Sequence, residues 1–137
     1  MRLTDADILD LLRTSRRIAV VGLGEKPHRP AYGVAAYLQR AGYTIIPVHP
    51  IARTVLGEPV ARTLVEAAES GPIDIVNVFR RSETIPDLVD GCVAVRPRLV
   101  WLQVGIHHAA SARLLESAGI PVVQDRCLAV DHHSMGV

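Results

Sequence analysis

The chain has 137 residues, of which 49% are apolar, and 15 Lys and Arg stand against 14 Asp and Glu. This is one domain, 1–137, long enough to bury about two-thirds of its unfolded surface without a metal or a disulfide. The near-neutral balance gives no sign of a nucleic-acid or membrane partner, the charged Met1–Ser15 segment lacks a leader's apolar region, and two free thiols suit the cytoplasm.

Thr4 opens the first predicted helix, with Asp5 and Asp7 in its first turn and Ile8, Leu11 and Leu12 as its apolar stripe. Ile18 to Gly22 is a continuous apolar run, as in a strand buried on both faces. A turn-rich stretch leads to Pro30, which suits a first helical turn, and a helix follows over Tyr32 to Ala41. Tyr43 to Val48 is the second strand, and Pro47 inside it fits a strand end or an edge. His49 to Val60 is irregular, and a short helix is expected from about Arg62 to Glu69. Ile73 to Phe79 is a strand interrupted by Asp74 and Asn77. Ser82 is the expected cap of a helix carrying Ile85, Leu88, Val89 and Cys92 on one face. A strand over Leu99 to Val104, a helix over His108 to Ala118 and a last strand over Pro121 to Gln124 complete the series. Asp125 to Val137 is left as a tail.

Strands alternating with helices predict an α/β, Rossmann-like fold: an open, mostly parallel sheet of about five strands with helices on both faces. In such sheets ligands bind beyond the carboxyl ends of the strands. The first of those segments reads Gly22-Leu23-Gly24-Glu25-Lys26-Pro27-His28-Arg29-Pro30. Its two glycines would admit a phosphate close to the backbone, the helix begun by Pro30 would offer free N–H groups, and Lys26 and Arg29 add positive charge. The alternative is a tight turn with solvated cations. The dinucleotide fingerprint is incomplete, because Pro27 replaces its third glycine and Val48-His49-Pro50 stands where a ribose-binding carboxylate belongs. No G-K-[ST] triphosphate loop exists.

Taken in order, Ile18–Leu23 with Lys26-Pro27 and Arg29-Pro30, Val48-His49-Pro50, Leu56-Gly57, Asp74–Arg81, Trp101–Ile106 and Asp125-Arg126-Cys127 resemble the single-domain CoA-binding protein family. The same fold serves as the CoA-binding module of succinyl-CoA ligase. The resemblance implies coenzyme A as cofactor. It implies phosphate and ribose contacts at Gly22, Gly24, Lys26 and Arg29, a nucleotide wall at Val48, His49 and Pro50, and flanking contacts at Phe79, Arg80 and Arg81. His49 departs from the family, which commonly has Asn there; the two side chains differ in donor and acceptor layout. Independently, a ligand with a diphosphate and a 3′-phosphate calls for arginine forks, and Arg29, Arg80 and Arg81 all fall at the expected ligand edge. A solvated loop pair is the other reading of Arg80 and Arg81.

Asp131-His132-His133-Ser134-Met135-Gly136 matches D-x-H-x-x-G but lacks the strand–helix context that motif needs. His107-His108 and His132-His133 are expected at the surface, and no metal site is expected, because adjacent residues do not share a face. Trp101 and Cys92 read as packing. Cys127 follows the last strand beside Arg126, as either a plain thiol or one that meets the cofactor's thiol. With no G-x-S-x-G elbow and no Cys-His pair with an orienter, the expected function is non-enzymatic binding of coenzyme A or acyl-CoA; an NAD(P)-binding oxidoreductase or redox sensor is the alternative.

Overall fold

Residues 3–137 are described by a computed structural model. The apolar runs become strands whose residues alternate between two cores. In β1 (Arg17–Val21), Ile18 and Val20 face one side, and Ala19 and Val21 the other. The same holds for β5 (Ile75–Val78) and β6 (Leu99–Leu102), which is why these stretches carry no polar alternation. With β2 (Thr44–Val48) and β7 (Val122–Val123) they form a five-stranded sheet in the order β2-β1-β5-β6-β7, all pairs parallel. Pro47 therefore lies on an edge strand, where its missing N–H leaves no central ladder broken.

One face is covered by α1 (Asp5–Thr14), α2 (Pro30–Arg40) and α6 (Leu128–Ser134), through Ile8, Leu12, Ala35, Leu38 and Leu128. The other is covered by α3 (Leu64–Ala67), α4 (Val89–Val95) and α5 (Ala109–Ser117), through Leu64, Cys92 and Leu115. Thr4 caps α1 in a reciprocal box with Asp7, whose carboxyl is held below its usual range by the Thr4 backbone and hydroxyl donors. Trp101 is fully buried, its Nε1 donating to the Arg126 carbonyl at 2.8 Å. Burial pushes the Cys92 thiol up to about 12, in keeping with packing. Asp74 interrupts an apolar run because its Oδ2 accepts from the Arg16 and Arg17 N–H groups, tying the starts of β1 and β5 together.

Four expectations are corrected. The irregular His49–Val60 stretch contains a hairpin, β3 (Thr54–Val55) and β4 (Glu58–Pro59), turned by Leu56 and Gly57 at φ +52° and +77°. Ser82 caps no α-helix: Pro86 lies in a 3₁₀ run over Ser82–Leu88, and α4 begins only at Val89. The C-terminal tail folds as α6. His132 is not at the surface but 7% exposed on that helix, its Nδ1 2.8 Å from the Tyr37 hydroxyl.

Candidate functional site

Successive strands add to one side of β1 at β2 and to the other at β5, so the loops leaving β1 and β5 diverge and open a crevice. Gly22, first out of β1, has φ +91°, and a Cβ on it would sit 2.5 Å from the Phe79 carbonyl oxygen. Its missing side chain is thus required by the close approach of the β5 loop, a reason different from the phosphate approach read in the sequence. Gly24 has ordinary backbone angles, but a Cβ there would meet the His49 ring at 3.0 Å.

The crevice is a cavity of about 1240 Å³ built from four loops: Gly22, Gly24, Lys26, Arg29 and Pro30 after β1; His49, Ile51 and Arg53 after β2; Phe79, Arg80 and Arg81 after β5; and Gln103–Ile106 after β6. Five cationic side chains line it (Lys26, Arg29, Arg53, Arg80, Arg81) against two carboxylates, Glu25 and Glu83. Both carboxylates have local partners. Glu25 Oε1 accepts from the Arg53 N–H, and Glu83 lies 3.4 Å from Arg81 in an exposed pair worth little. The start of α2 faces the same space: Arg29 is its N-cap without a side-chain cap bond, and Pro30 and Ala31 line the cavity. Pro30 has no N–H and the Tyr32 N–H already bonds the Arg29 carbonyl, so what suits this space to an anion is chiefly its surplus of cations.

His49 Nδ1 accepts from the backbone N–H of Ile51 and Ala52, at 3.1 and 3.0 Å. An Asn Oδ1 at this position could make the same turn, so imidazole and amide serve one structural role. With Nδ1 accepting, a neutral ring carries its proton on Nε2, the atom turned toward Gly24 and the first loop. Arg62 stiffens the same segment by donating from Nη1 to the carbonyls of His49 and Ala52. Opposite, Ser82 Oγ accepts from the His107 N–H, and Asp125 Oδ1 accepts from the Gly105 N–H at 2.6 Å, fixing the β6 loop.

Residues 16–133 match the family described as CoA binding domain. The chain belongs to the CoA binding domain family. It is similar to the uncharacterized protein YneT of Bacillus subtilis (strain 168), 40% identical over 127 residues, 93% of either chain. The structure of cell-free ID.343 from Thermus thermophilus is 38% identical, covers 97% of this chain and 99% of its own, and superposes with a TM-score of 0.92. A dinucleotide-forming acetyl-coenzyme A synthetase 1 of Ca. Korarchaeum cryptofilum, at 17% identity and a TM-score of 0.73, shares the fold over 84% of this chain and 27% of its own.

Within this CoA binding domain, the cavity gathers Gly22, Gly24, Lys26, Arg29, Pro30, His49, Phe79, Arg80 and Arg81. Three expected contacts lie elsewhere. Val48 turns into the core with Ala61 and Leu64, Pro50 is exposed beside the wall, and Cys127, half-buried, is the N-cap of α6 and not among the lining residues. The wall after β2 is instead His49, Ile51, Ala52 and Arg53. Arg126, expected to influence Cys127, has its Nε 2.7 Å from Asp131 and its guanidinium over Trp101. His107 is exposed, and His108 caps α5 by accepting from the Ser111 N–H. Among the described residues no cluster of three or more His, Cys, Asp or Glu side chains could hold a metal, and no helix is long and apolar enough to cross a membrane. The sequence did not single out Arg53 or Gln103: Arg53 had only its place in a segment after a strand, and Gln103 fell inside the strand expected over Leu99 to Val104, which in fact ends at Leu102.

Proposed function

We propose that this protein binds coenzyme A or an acyl-CoA, non-covalently and without catalysing a reaction on it, at the C-terminal edge of its sheet. The observation that carries this is the cavity at the β1/β5 divergence in a chain of the CoA binding domain family: five cationic side chains around a space of about 1240 Å³. Coenzyme A presents a diphosphate and a 3′-phosphate joined to a long neutral arm, a polyanion at one end and apolar and amide chemistry at the other. The non-catalytic part of the reading rests on how the lining groups are used: Glu25 and the Nδ1 atom of His49 hold backbone N–H groups, which leaves them tied to loop geometry. A cytoplasmic setting accords with two unpaired cysteines.

The test is thermal unfolding with coenzyme A, acetyl-CoA, NAD and NADP in parallel. At about 100 times its dissociation constant a ligand adds roughly 2.7 kcal/mol, several degrees for a domain of this size. Coenzyme A or its thioester should raise the melting temperature, with no shift from NAD. Equal shifts with NAD, or none with either CoA species, overturn the reading. Product analysis after long incubation with acetyl-CoA tests the non-catalytic part: hydrolysis or transfer above the buffer rate removes it.

A further inference from the structure

Gln103 stands just past the end of β6, is 5% exposed and lines the cavity. Its Oε1 accepts two hydrogen bonds, from Asn77 Nδ2 at 3.1 Å and from the Leu128 backbone N–H at 3.0 Å. Asn77 Nδ2 also donates to the Trp101 carbonyl at 3.3 Å. A backbone N–H can only donate and a carbonyl can only accept, so both amide orientations are fixed: Leu128 requires Gln103 Oε1, and Trp101 requires Asn77 Nδ2. The backbone of Gln103 is also paired, its N–H to the Val78 carbonyl and its carbonyl from the Ile106 N–H. Among the described residues Nε2 is left as its polar group without a protein partner. Asn77, meanwhile, keeps its Oδ1 buried and unpaired, an arrangement stability alone does not favour. Two buried amides are thus held so that one pair of N–H donors stands at the cavity wall.

We infer that Gln103 Nε2 is a specificity-determining donor for a neutral carbonyl oxygen on the non-nucleotide arm of the ligand. The inference rests on the CoA reading, since that arm carries amide carbonyls and, in an acyl-CoA, a thioester carbonyl. The chemistry around Gln103 separates it from the phosphate end. Val104, Gly105 and Ile106 follow it in the wall and Phe79 lines the neighbouring loop, whereas the five cations sit on the loops after β1, β2 and β5. An anion seated at Gln103 would forgo those cations; a neutral acceptor matches an uncharged donor. The same oxygen that fixes this amide holds the first N–H of α6, so the C-terminal helix is part of the device.

Gln103→Glu tests this closely, because a carboxylate still accepts from Asn77 and Leu128 while the donor is replaced by an acceptor. Calorimetry compares coenzyme A with adenosine 3′,5′-bisphosphate, which has the nucleotide but no arm. We expect coenzyme A to weaken by about tenfold or more and the bisphosphate by less than about twofold. Equal losses, or unchanged binding of coenzyme A, overturn the assignment. Failure of the unaltered protein to bind either ligand instead overturns the CoA reading itself. Should the variant not fold, the unaltered protein still decides. With one Asn and three Gln in the chain, its side-chain amide resonances are few. That of Gln103 should move on titration with coenzyme A and stay with the bisphosphate; a resonance unmoved by coenzyme A refutes the contact.

Discussion

Two glycines of the first loop, alike in the sequence, answer to different neighbours. A methyl group at Gly22 would meet a backbone carbonyl at 2.5 Å in a left-handed conformation, so neither partner can yield cheaply. Gly22→Ala should cost about 2–4 kcal/mol of stability by denaturant unfolding. Gly24→Ala meets only the His49 ring, at 3.0 Å, and should leave the unfolding free energy within about 1 kcal/mol of the original while weakening coenzyme A. A larger stability loss at Gly24 than at Gly22 would reverse this assignment. On the CoA reading, the arginines too should differ residue by residue. Either Arg29→Ala or Arg80→Ala should weaken coenzyme A about tenfold or more beyond its effect on dephospho-coenzyme A, since a charged hydrogen bond is worth about 1.5–3 kcal/mol. If neither variant distinguishes the two ligands in calorimetry, the 3′-phosphate is held by other groups. The sequence marked these arginines through their position after strands. It gave no sign of Gln103, because what selects that amide is the direction in which it is held, and Leu128 and Asn77 set that direction from elsewhere in the chain.

At the level of elements, the long strands and helices were readable because a doubly buried strand must be apolar throughout and an amphipathic helix must repeat. The elements that escaped are those whose signal is short or polar. β3 and β4 are two residues each, too brief for any period. α6 is anchored by Leu128 and, one turn on, by a histidine, so its buried stripe looks polar. His132 sits between Tyr37 and Tyr43, with ring centroids at 5.4 and 5.5 Å and His133 adjacent in the chain. Burial, and then the neighbouring His133, lower its pKa from 6.5. The unfolded chain therefore takes up this proton at a higher pH than the folded one. The resulting stability is complete above about pH 6.5 and is lost as pH falls below it toward the folded value. Urea unfolding from pH 7.5 to 5 should show stability dropping through that window, and His132→Gln should flatten the drop. Parallel curves for the two proteins would show that the docking of α6 owes nothing to the neutral imidazole.

Across the whole molecule, the sheet is the part that sequence patterning reaches most directly, and the site is the part that depends on its closure. Glu25 with Arg53, Ser82 with His107, and Asp125 with Gly105 join one loop to another, so the cavity wall is a set of mutual supports rather than four independent segments. Such pairings carry no local signature, since each side is an ordinary loop residue until the other arrives. The contact of Gly22 with Phe79 extends this to the order of synthesis. A chain that has left the ribosome only as far as β2 already contains Gly22, Lys26 and Arg29, yet the β5 wall against which Gly22 closes has not been translated. Parallel strands joined by long crossovers reward pairing late, because loop closure must come first. A ligand that stabilises only the closed edge therefore acts on finished chains and leaves nascent ones untouched, so cofactor supply would govern how long the completed protein survives rather than how it begins to fold.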